Sequence, residues 1–455
     1  MTTESLSTPK ITASPTGFRL TSACILTMND HFSVVQGDLA VAADGTIVAV
    51  GDASAFAHWP ATDVGGDYIL PGFVQAHIHL CQTLFRHEAE TRTLLTWLRE
   101  RIWPLEGAHT PESLRTSADL GIAELLLSGT TALLDMGTVH HQTAVCEAVR
   151  DSGIRATVGK AMMDTGEAVP ASLLETTASS LDESVTLART WHGHDGDRVR
   201  YAFAPRFVLS CTEELQREVG RLSAANDWGI HTHASEQLEE IAVVQSIYGR
   251  KNIDALHEMG LCGHRTVLAH CVHVDHDERR LLAGTRTSVC HCPGSNMKLG
   301  SGIADIPGLR KAGINVALGA DGAPCNNQLD QFVEMRLAQL LQAGTRGPGT
   351  LPPRDVLHMA TRAGALALNQ AHRIGQITAG FDADFIRLRR SDARFGLGSD
   401  PYTEIVSAGC RDLVRDVWVK GRHLVQNGVL TTIETGVLRE RGRKALDDTI
   451  RRAGL

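Results

Sequence analysis

Two absences limit what this protein can do. The 455-residue sequence contains no stretch of about eighteen uncharged apolar residues, which a membrane-spanning helix would need. It also lacks a block of Lys and Arg that could follow a phosphate backbone, and its 52 acidic residues outnumber the 44 basic ones. We therefore expect neither a membrane nor a nucleic acid among its partners, and we predict a cytoplasmic enzyme acting on small molecules.

The chain also lacks a CxxC pair, although it contains ten cysteines. Scattered cysteines without such pairs favour reduced thiols in a reducing compartment over a disulfide framework. Cys290 and Cys292 are the closest two, and we interpret them as packing thiols rather than metal ligands. Residues 1–17 are rich in Ser and Thr and have no apolar signal core, which predicts a flexible tail.

Short apolar runs alternate with longer amphipathic segments in residues 67–375. This alternation is typical of strand–helix units repeated around a parallel sheet. Open doubly wound sheets more often have about five to seven strands, so eight units predict a closed (β/α)8 barrel of the TIM type. The eight strand candidates are YILPGFVQAHIH, TTALLD, IRATVGKAMMD, VRYAFAPRF, GIHTHASE, RTVLAHC, TSVCHCP and INVALGADG.

Residues that begin and end helices stand between these runs. Thr110 can cap a helix whose first position is Pro111, and Gly129 ends that helix before the next strand. Thr212 can cap a later helix in the same way. These predicted helix starts and ends support the division of the chain into strand–helix units.

The two ends of the chain have a different pattern. Residues 18–66 alternate apolar and polar residues with Asp-Gly turns, and residues 376–433 do the same, which predicts antiparallel strands. We expect the two segments to pair into one small β-sandwich beside the barrel. Residues 434–455 are expected to form a terminal helix with a basic face.

Polar residues gather where the predicted barrel strands end. In a parallel barrel the chemistry lies at the carboxyl ends of the strands. A single histidine there is usually a polar residue leaving the core, but several at one face indicate a site. The residues at these ends are His77 and His79 on strand one, Arg206 on strand four, His233 and Glu236 on strand five, His270 on strand six and Asp321 on strand eight.

The spacing of His77 and His79 is compatible with a chelating pair. Residues i and i+2 of a strand point to the same side, so both imidazoles can face one ion. His233 and Asp321 can supply a third nitrogen and an oxygen, a set that suits Zn²⁺ or Fe²⁺ and leaves a position for water. His231 shares a face with His233, and spacing alone does not decide between them. Glu236 is either an acid–base group or a helix-capping carboxylate.

The ordered motifs PGFVQAHIHL, HTHASE, LAHCVH, SNMKLGSGIADIP and LGADGAPCNN resemble those of the amidohydrolase superfamily, over nearly the whole chain. The segment HLCQTLFRHEAETRTLLTWLRERIWPLEGAHTPESL is similar to deaminases of S-adenosylhomocysteine, methylthioadenosine and 5'-deoxyadenosine, a group related to triazine hydrolases. Within this group the 5'-deoxyadenosine deaminases are the most similar. The resemblance implies a metal-dependent hydrolase with a barrel fold.

The resemblance also implies a ligand set. His77, His79, His233 and Asp321 would hold one divalent ion, zinc or alternatively iron, because the third metal histidine of the family lies three residues before the glutamate. Glu236, His270 and Asp321 would be catalytic. A second metal would need a bridging group at the end of strand four; Arg206 stands there, and the nearest lysine, Lys160, lies on strand three.

On the substrate side, the resemblance assigns Glu106 to ribose hydroxyls, Trp97 to the wall of the base pocket, and His270 and Arg206 to substrate contacts. Arg206 departs from the histidine of the methylthioadenosine enzymes and is similar to an arginine of guanine deaminases. Each residue has a simpler interpretation: Glu106 as a helix-end carboxylate, Trp97 as a core aromatic and Arg206 as an ion-pairing residue.

The predicted reaction is hydrolytic deamination of an adenine-type nucleoside, with ammonia as the leaving group. In this hypothesis His270 and Asp321 take or orient the proton of water, and Glu236 donates a proton to the ring nitrogen. Each carboxyl must then change protonation state, so we expect near-neutral effective pKa values for both in the complex with substrate. A guanine-type deaminase and an s-triazine amino- or chlorohydrolase are the alternatives. The resemblance also suggests a homodimer or homotetramer.

Overall fold

The computed structural model describes residues 16–166, 169–398 and 400–455, so the predicted tail at 1–17 lies almost entirely outside the described residues. Within these ranges the strands form two sheets. The strands are β1 Phe18–Leu26, β2 Val34–Val41, β3 Ile47–Gly51, β4 Ala61–Asp63, β5 Tyr68–Pro71, β6 Phe73–His79, β7 Thr130–Met136, β8 Arg155–Gly159, β9 Ala161–Met162, β10 Val199–Pro205, β11 Gly229–Ala234, β12 Thr266–His270, β13 Ser288–His291, β14 Val316–Leu318, β15 Asp321–Gly322, β16 Phe385–Leu388, β17 Val414–Val419, β18 Arg422–Gln426 and β19 Val429–Leu430.

The larger sheet is a parallel barrel. Its strands follow the order β6, β7, β8, β10, β11, β12, β13 and β14, and β15 returns to pair with β6, with Asp321 opposite Ile78. β14 and β15 are two parts of the eighth strand, interrupted at Gly319. A Cβ on Gly319 would lie 2.7 Å from the carbonyl oxygen of His77, so only glycine allows the two strands to approach this closely. The predicted (β/α)8 fold is confirmed.

The inside of the barrel is filled by small apolar side chains, including Val74, Ala132 and Ala317. Cys290 and Cys292 belong to the same buried cluster, with 4.0 Å between their sulfur atoms. Both are free thiols, which agrees with their interpretation as packing residues.

The main helices follow the barrel strands. Their ends confirm the predicted capping residues. Thr110 accepts a hydrogen bond from Ser113 N, Thr212 accepts one from Leu215 N, and Gly129 has a left-handed φ of 88° just beyond a helix end. The helices of eight residues or more are Pro111–Leu127, Gln142–Ser152, Thr177–Trp191, Glu213–Asn226, Leu238–Tyr248, His276–Thr285, Gln331–Arg346, Pro353–Ala360, Pro401–Ala408 and Thr435–Ala453. Shorter helices span Leu94–Trp97, Trp103–Gly107, His194–Asp197, Asn252–Glu258, Pro293–Lys298, Ile306–Lys311, Ala323–Asn326 and Arg362–Ala367, and a π-helical turn spans Leu98–Ile102.

The second sheet is built from both ends of the chain, as expected. Its order is β19, β18, β17, β16, β5, β1, β2 and β3, and β4 pairs with β1. The first predicted strand is divided at Gly72: β5 pairs with β16 in this second sheet, whereas β6 enters the barrel. The divided strand therefore connects the two sheets directly. The proposed boundaries between the units remain predictions.

The helix Thr435–Ala453 packs against the barrel helix Pro111–Leu127. Leu438 is buried in this contact, and Arg441 Nη2 lies 2.5 Å from Asp119 Oδ2. Among the described residues, no helix is both long and apolar enough to cross a bilayer.

Candidate metal centre and active site

Four histidines and one aspartate converge at the carboxyl end of the barrel. His77 Nε2 lies 3.1 Å from Asp321 Oδ1, and His79 Nε2 lies 3.3 Å from the same oxygen. His79 Nε2 is also 3.3 Å from His233 Nε2. Potential ligand atoms of His77, His233, His270 and Asp321 lie within 4.8 Å of one another. The four sequence-predicted ligands are thus brought together, and His270 joins them.

The tautomers of the rings explain why a cation fits this cluster. His79 Nδ1 donates to Met136 O at 2.8 Å and His233 Nδ1 donates to Arg206 O at 2.7 Å. In a neutral ring, this leaves each Nε2 with a lone pair and no proton. Two such nitrogens 3.3 Å apart repel unless a cation lies between them. The carbonyl partners orient the rings as the outer contacts of metal-binding histidines do.

His231 is not part of this ring of ligands. Its Nε2 lies 2.8 Å from His77 Nδ1, behind the cluster. In the tautomer in which His77 Nδ1 donates, His77 Nε2 is also free to bind an ion. Among the described residues, the buried His77 Nε2 has no hydrogen-bond partner, which is expected of an atom prepared to bind an ion. The ambiguity within HTHASE is thus resolved by position.

Electrostatics keep these groups in the states that a metal requires. Burial lowers the pKa of His79 to about 3 and that of His233 well below its ordinary value, so both rings are neutral. Burial alone would raise the pKa of the Asp321 carboxyl, but His77 and its neighbours hold it well below the usual value. Neutral imidazoles with one carboxylate suit zinc or iron.

Glu236 provides an acid–base group beside the cluster. Its Oε1 accepts a hydrogen bond from Ser301 Oγ at 3.1 Å, and its Oε2 lies 3.6 Å from His270 Nε2. Burial raises the pKa of Glu236 to about 7. The helix Leu238–Tyr248 has no side-chain cap, so the helix-capping interpretation of Glu236 is not observed.

A pocket opens beside these groups. Trp97 and Arg206 line it. Glu106 does not line it; this residue lies behind Arg206 and Gln82. The remaining lining residues are His79, Gln82, Leu94, Leu98, Phe207, His233, Glu236, Glu240, His270, Leu299 and Asp321.

Glu106 and Arg206 form a buried, two-pronged ion pair. Arg206 Nη1 lies 2.6 Å from Glu106 Oε2, and Arg206 Nη2 lies 3.2 Å from Glu106 Oε1. Gln82 Nε2 also donates to Glu106 Oε1 at 2.8 Å. Both carboxylate oxygens are therefore occupied by the protein. Gln82 was not among the predicted site residues, although its place three residues after His79 was a usable signal.

Lys160 is directed to a different partner. Its Nζ lies 2.6 Å from Glu175 Oε2, and the side chain is fully buried. This ion pair engages Lys160, the lysine that the sequence places nearest to a position bridging two metals.

Comparison with known proteins places this site in a family. Residues 68–424 match the model described as the amidohydrolase family. The chain belongs to the amidohydrolase family. The prediction of a metal-dependent amidohydrolase is thereby confirmed.

Relatives of this amidohydrolase extend over most of its length. The 5'-deoxyadenosine deaminase of Methanopyrus kandleri is 37% identical over 368 residues, covering 80% of this chain and 82% of that protein. The 5-methylthioadenosine/S-adenosylhomocysteine deaminase of Bacillus cereus is 33% identical over 420 residues, covering 91% and 95%. A crystal structure of an adenosine deaminase from Xanthomonas campestris with bound zinc superposes with a TM-score of 0.89 at 28% identity, covering 97% of this chain and 100% of that one.

Proposed function

We propose that this amidohydrolase is a deaminase that releases ammonia from an adenine-type nucleoside such as 5'-deoxyadenosine, methylthioadenosine or S-adenosylhomocysteine. The observation that carries the proposal is the position of Glu236, which lines the same pocket as His79 and His233 and has its Oε2 3.6 Å from His270 Nε2. The deaminase relatives that align along most of the chain support the same reaction class.

One divalent ion, zinc in the first place and iron as the alternative, is proposed for His77, His79, His233 and Asp321. These residues fit the ion because two unprotonated nitrogens face each other across 3.3 Å, next to a carboxylate. When bound, such an ion lowers the pKa of a coordinated water from about 15.7 to about 7 and so supplies a nucleophile at neutral pH. His270 stays beside the ion in this proposal.

The proton steps belong to the side chains. Glu236, with a pKa of about 7, can hold a proton and donate it to the ring nitrogen next to the attacked carbon. His270 Nε2, 3.8 Å from Asp321 Oδ2, is placed to take the proton that water releases. The water oxygen bonds to the ring carbon as His270 takes one water proton. That proton passes through Asp321 to the amino nitrogen, the bond from the ring carbon to that nitrogen breaks, and ammonia leaves. The remaining hydroxyl proton goes to Glu236, which replaces the proton that Glu236 gave to the ring nitrogen.

One observation on the substrate side of the site supports a second candidate function, that of a guanine-type base deaminase. Arg206 lines the pocket, and its guanidinium can donate to a ring carbonyl oxygen such as that of guanine. Glu106, in turn, is held by Arg206 and Gln82, and it must exchange one of these partners before it can bind ribose hydroxyls.

The deciding experiment is an ammonia-release assay of the zinc-loaded protein. We expect release from 5'-deoxyadenosine, with smaller or no release from guanine and an aminotriazine; S-adenosylhomocysteine and adenosine complete the set. Activity on guanine alone would reject the nucleoside proposal and support the second candidate. Arg206→His, which restores the histidine of the methylthioadenosine enzymes, should then abolish guanine deamination.

A further inference from the structure

The segment 295–301, which carries the unassigned motif SNMKLGS, touches all three side chains to which the proposed reaction assigns proton transfer. It begins in the short helix Pro293–Lys298, directly after β13. A hydrogen bond from Ser301 N to Asn296 O, 2.8 Å long, closes it into a turn. We call it the positioning segment.

The first contact fixes the carboxylate of Asp321. Ser295 Oγ donates to Asp321 Oδ2 at 2.6 Å, and Gly322 N donates to Asp321 Oδ1 at 2.7 Å. With each oxygen held, the carboxylate cannot rotate. Oδ1 therefore stays directed at His77 and His79.

The second contact fixes the tautomer of His270. Asn296 Oδ1 accepts from His270 Nδ1 at 2.9 Å, and Asn296 is fully buried. A neutral ring that donates from Nδ1 keeps the lone pair on Nε2. That nitrogen faces Glu236 Oε2 at 3.6 Å, where the proposed reaction needs a proton acceptor.

The third contact orients Glu236. Ser301 Oγ donates to Glu236 Oε1 at 3.1 Å, and Ser301 is itself held by Gln237 Nε2 at 3.2 Å. Oε2 is left facing His270. One oxygen of the carboxyl is thus held by Ser301, and the other is available for the proposed proton transfer.

We propose that Ser295, Asn296 and Ser301 are positioning residues, and that the segment holds Asp321, His270 and Glu236 in fixed mutual geometry through one turn. This inference rests on the proposed deaminase function. Because one segment contacts all three side chains, it keeps their positions relative to one another constant. Misplacement of a reacting group by about 1 Å can lower the rate by about 100-fold.

Other contacts hold the segment itself in place. Lys298 Nζ donates to Glu90 Oε1 at 2.6 Å and to Pro324 O at 2.9 Å, and Gly294 N donates to Glu334 Oε2 at 3.0 Å. Leu299 packs in an apolar cluster with Trp97. Removing the Asn296 or Ser301 side chain therefore leaves the anchors of the segment intact.

The test compares three variants of the zinc-loaded protein with a control from the same segment. Asn296→Leu and Ser301→Ala should lower kcat by about 10- to 100-fold, with KM and zinc affinity close to wild type. Ser295→Ala should weaken zinc affinity by about 10- to 100-fold, and excess zinc should restore activity. Met297→Leu, whose side chain takes no part in these contacts, should behave like wild type.

A readout without substrate accompanies the kinetics. The protein is labelled with nitrogen-15 histidine, and the NMR chemical shifts of the ring nitrogens report the tautomer of His270. A His270→Gln variant identifies which signals belong to this ring. Wild type should show the proton on Nδ1, and Asn296→Leu should lose this preference.

The outcomes separate the two proposals. If Asn296→Leu and Ser301→Ala match Met297→Leu in kcat, or lose zinc and thermal stability along with activity, the positioning role is refuted. A wild-type protein inactive on every compound of the assay refutes the proposed function instead. In that case the zinc affinity of Ser295→Ala and the His270 tautomer of Asn296→Leu still decide the inference, and wild-type values for both overturn it.

Discussion

At the scale of single residues, the site is governed by which nitrogen of each ring carries the proton. His79 and His233 are held by backbone carbonyls, whereas His77 is held by another imidazole, His231. A carbonyl can only accept, so it fixes the tautomer of the ring that it contacts. His77 depends on a side chain for the same purpose, and this makes its orientation sensitive to substitution.

His231→Leu should lower zinc affinity by about 10- to 100-fold, because His77 Nδ1 loses its partner and the ring is no longer held. Competition with a chelator measures the change. His291→Leu is the matched control: His291 is also buried, and its ring nitrogens have no hydrogen-bond partner among the described residues. Equal zinc affinity in the two variants would contradict the role given to His231.

Glu236→Gln should retain zinc and lower kcat by about 100-fold or more, because the amide keeps an acceptor for Ser301 but cannot deliver a proton. Metal content and ammonia release are measured on the same preparation. Glu239→Gln, at an exposed position on the following helix, should change neither. A Glu236→Gln enzyme with wild-type turnover would rule out the proposed proton route.

At the scale of elements, three residues at the mouth of the barrel adopt the left-handed backbone conformation. Ser235, His270 and Asp321 have φ values of 52°, 70° and 64°. Such conformations are uncommon for residues other than glycine and are concentrated at functional sites. Here Ser235 and His270 turn the chain where β11 and β12 end, and Asp321 turns it within the divided eighth strand, at the mouth where the candidate ligands lie.

Gly129→Ala tests the junction between a helix and β7. With φ at 88°, an alanine there is strained, and its Cβ would lie 3.0 Å from Ile386 Cδ1 of the second sheet. We expect a loss of about 1–2 kcal/mol in the free energy of unfolding, measured with urea. Gly263→Ala, which has open space around its Cβ, is the control and should change stability little. Equal stability of the two variants would contradict this account.

At the scale of the whole molecule, the barrel and the second sheet are joined by a buried charge cluster. Arg155 of β8 is fully buried, and its Nε lies 2.7 Å from Asp384 Oδ2 just before β16. Its Nη2 lies 2.8 Å from Asp382 Oδ2, and its Nη1 donates to Gln370 Oε1 at 3.2 Å. The guanidinium therefore connects two segments that the chain separates widely.

Arg155→Met should destabilise the protein by about 3–5 kcal/mol, because Asp384 remains buried without its cation. Urea unfolding measures the loss. Arg189→Met, on an exposed helix position, should stay within about 0.5 kcal/mol of wild type. If both variants unfold at the wild-type urea concentration, the cluster is not what joins the two sheets.

The sequence by itself determined the barrel and the residues at its mouth, because both depend on local rules. Strand–helix alternation repeats along the chain, residues two apart on a strand share a face, and parallel strands end at one side. His77, His79 and Asp321 could be found in this way, whereas the choice of His233 over His231 came from the family resemblance; the structure brings the four together.

Only the tertiary structure decided what each of these groups touches. Glu106 and Arg206 are 100 residues apart, and Arg155 and Asp384 are 229 apart, so no local pattern reveals either pair. The same holds for the contacts of Ser295, Asn296 and Ser301 with groups on three different strand ends. Periodicity reports which face a residue occupies, whereas the distance to a partner elsewhere in the chain is set by packing.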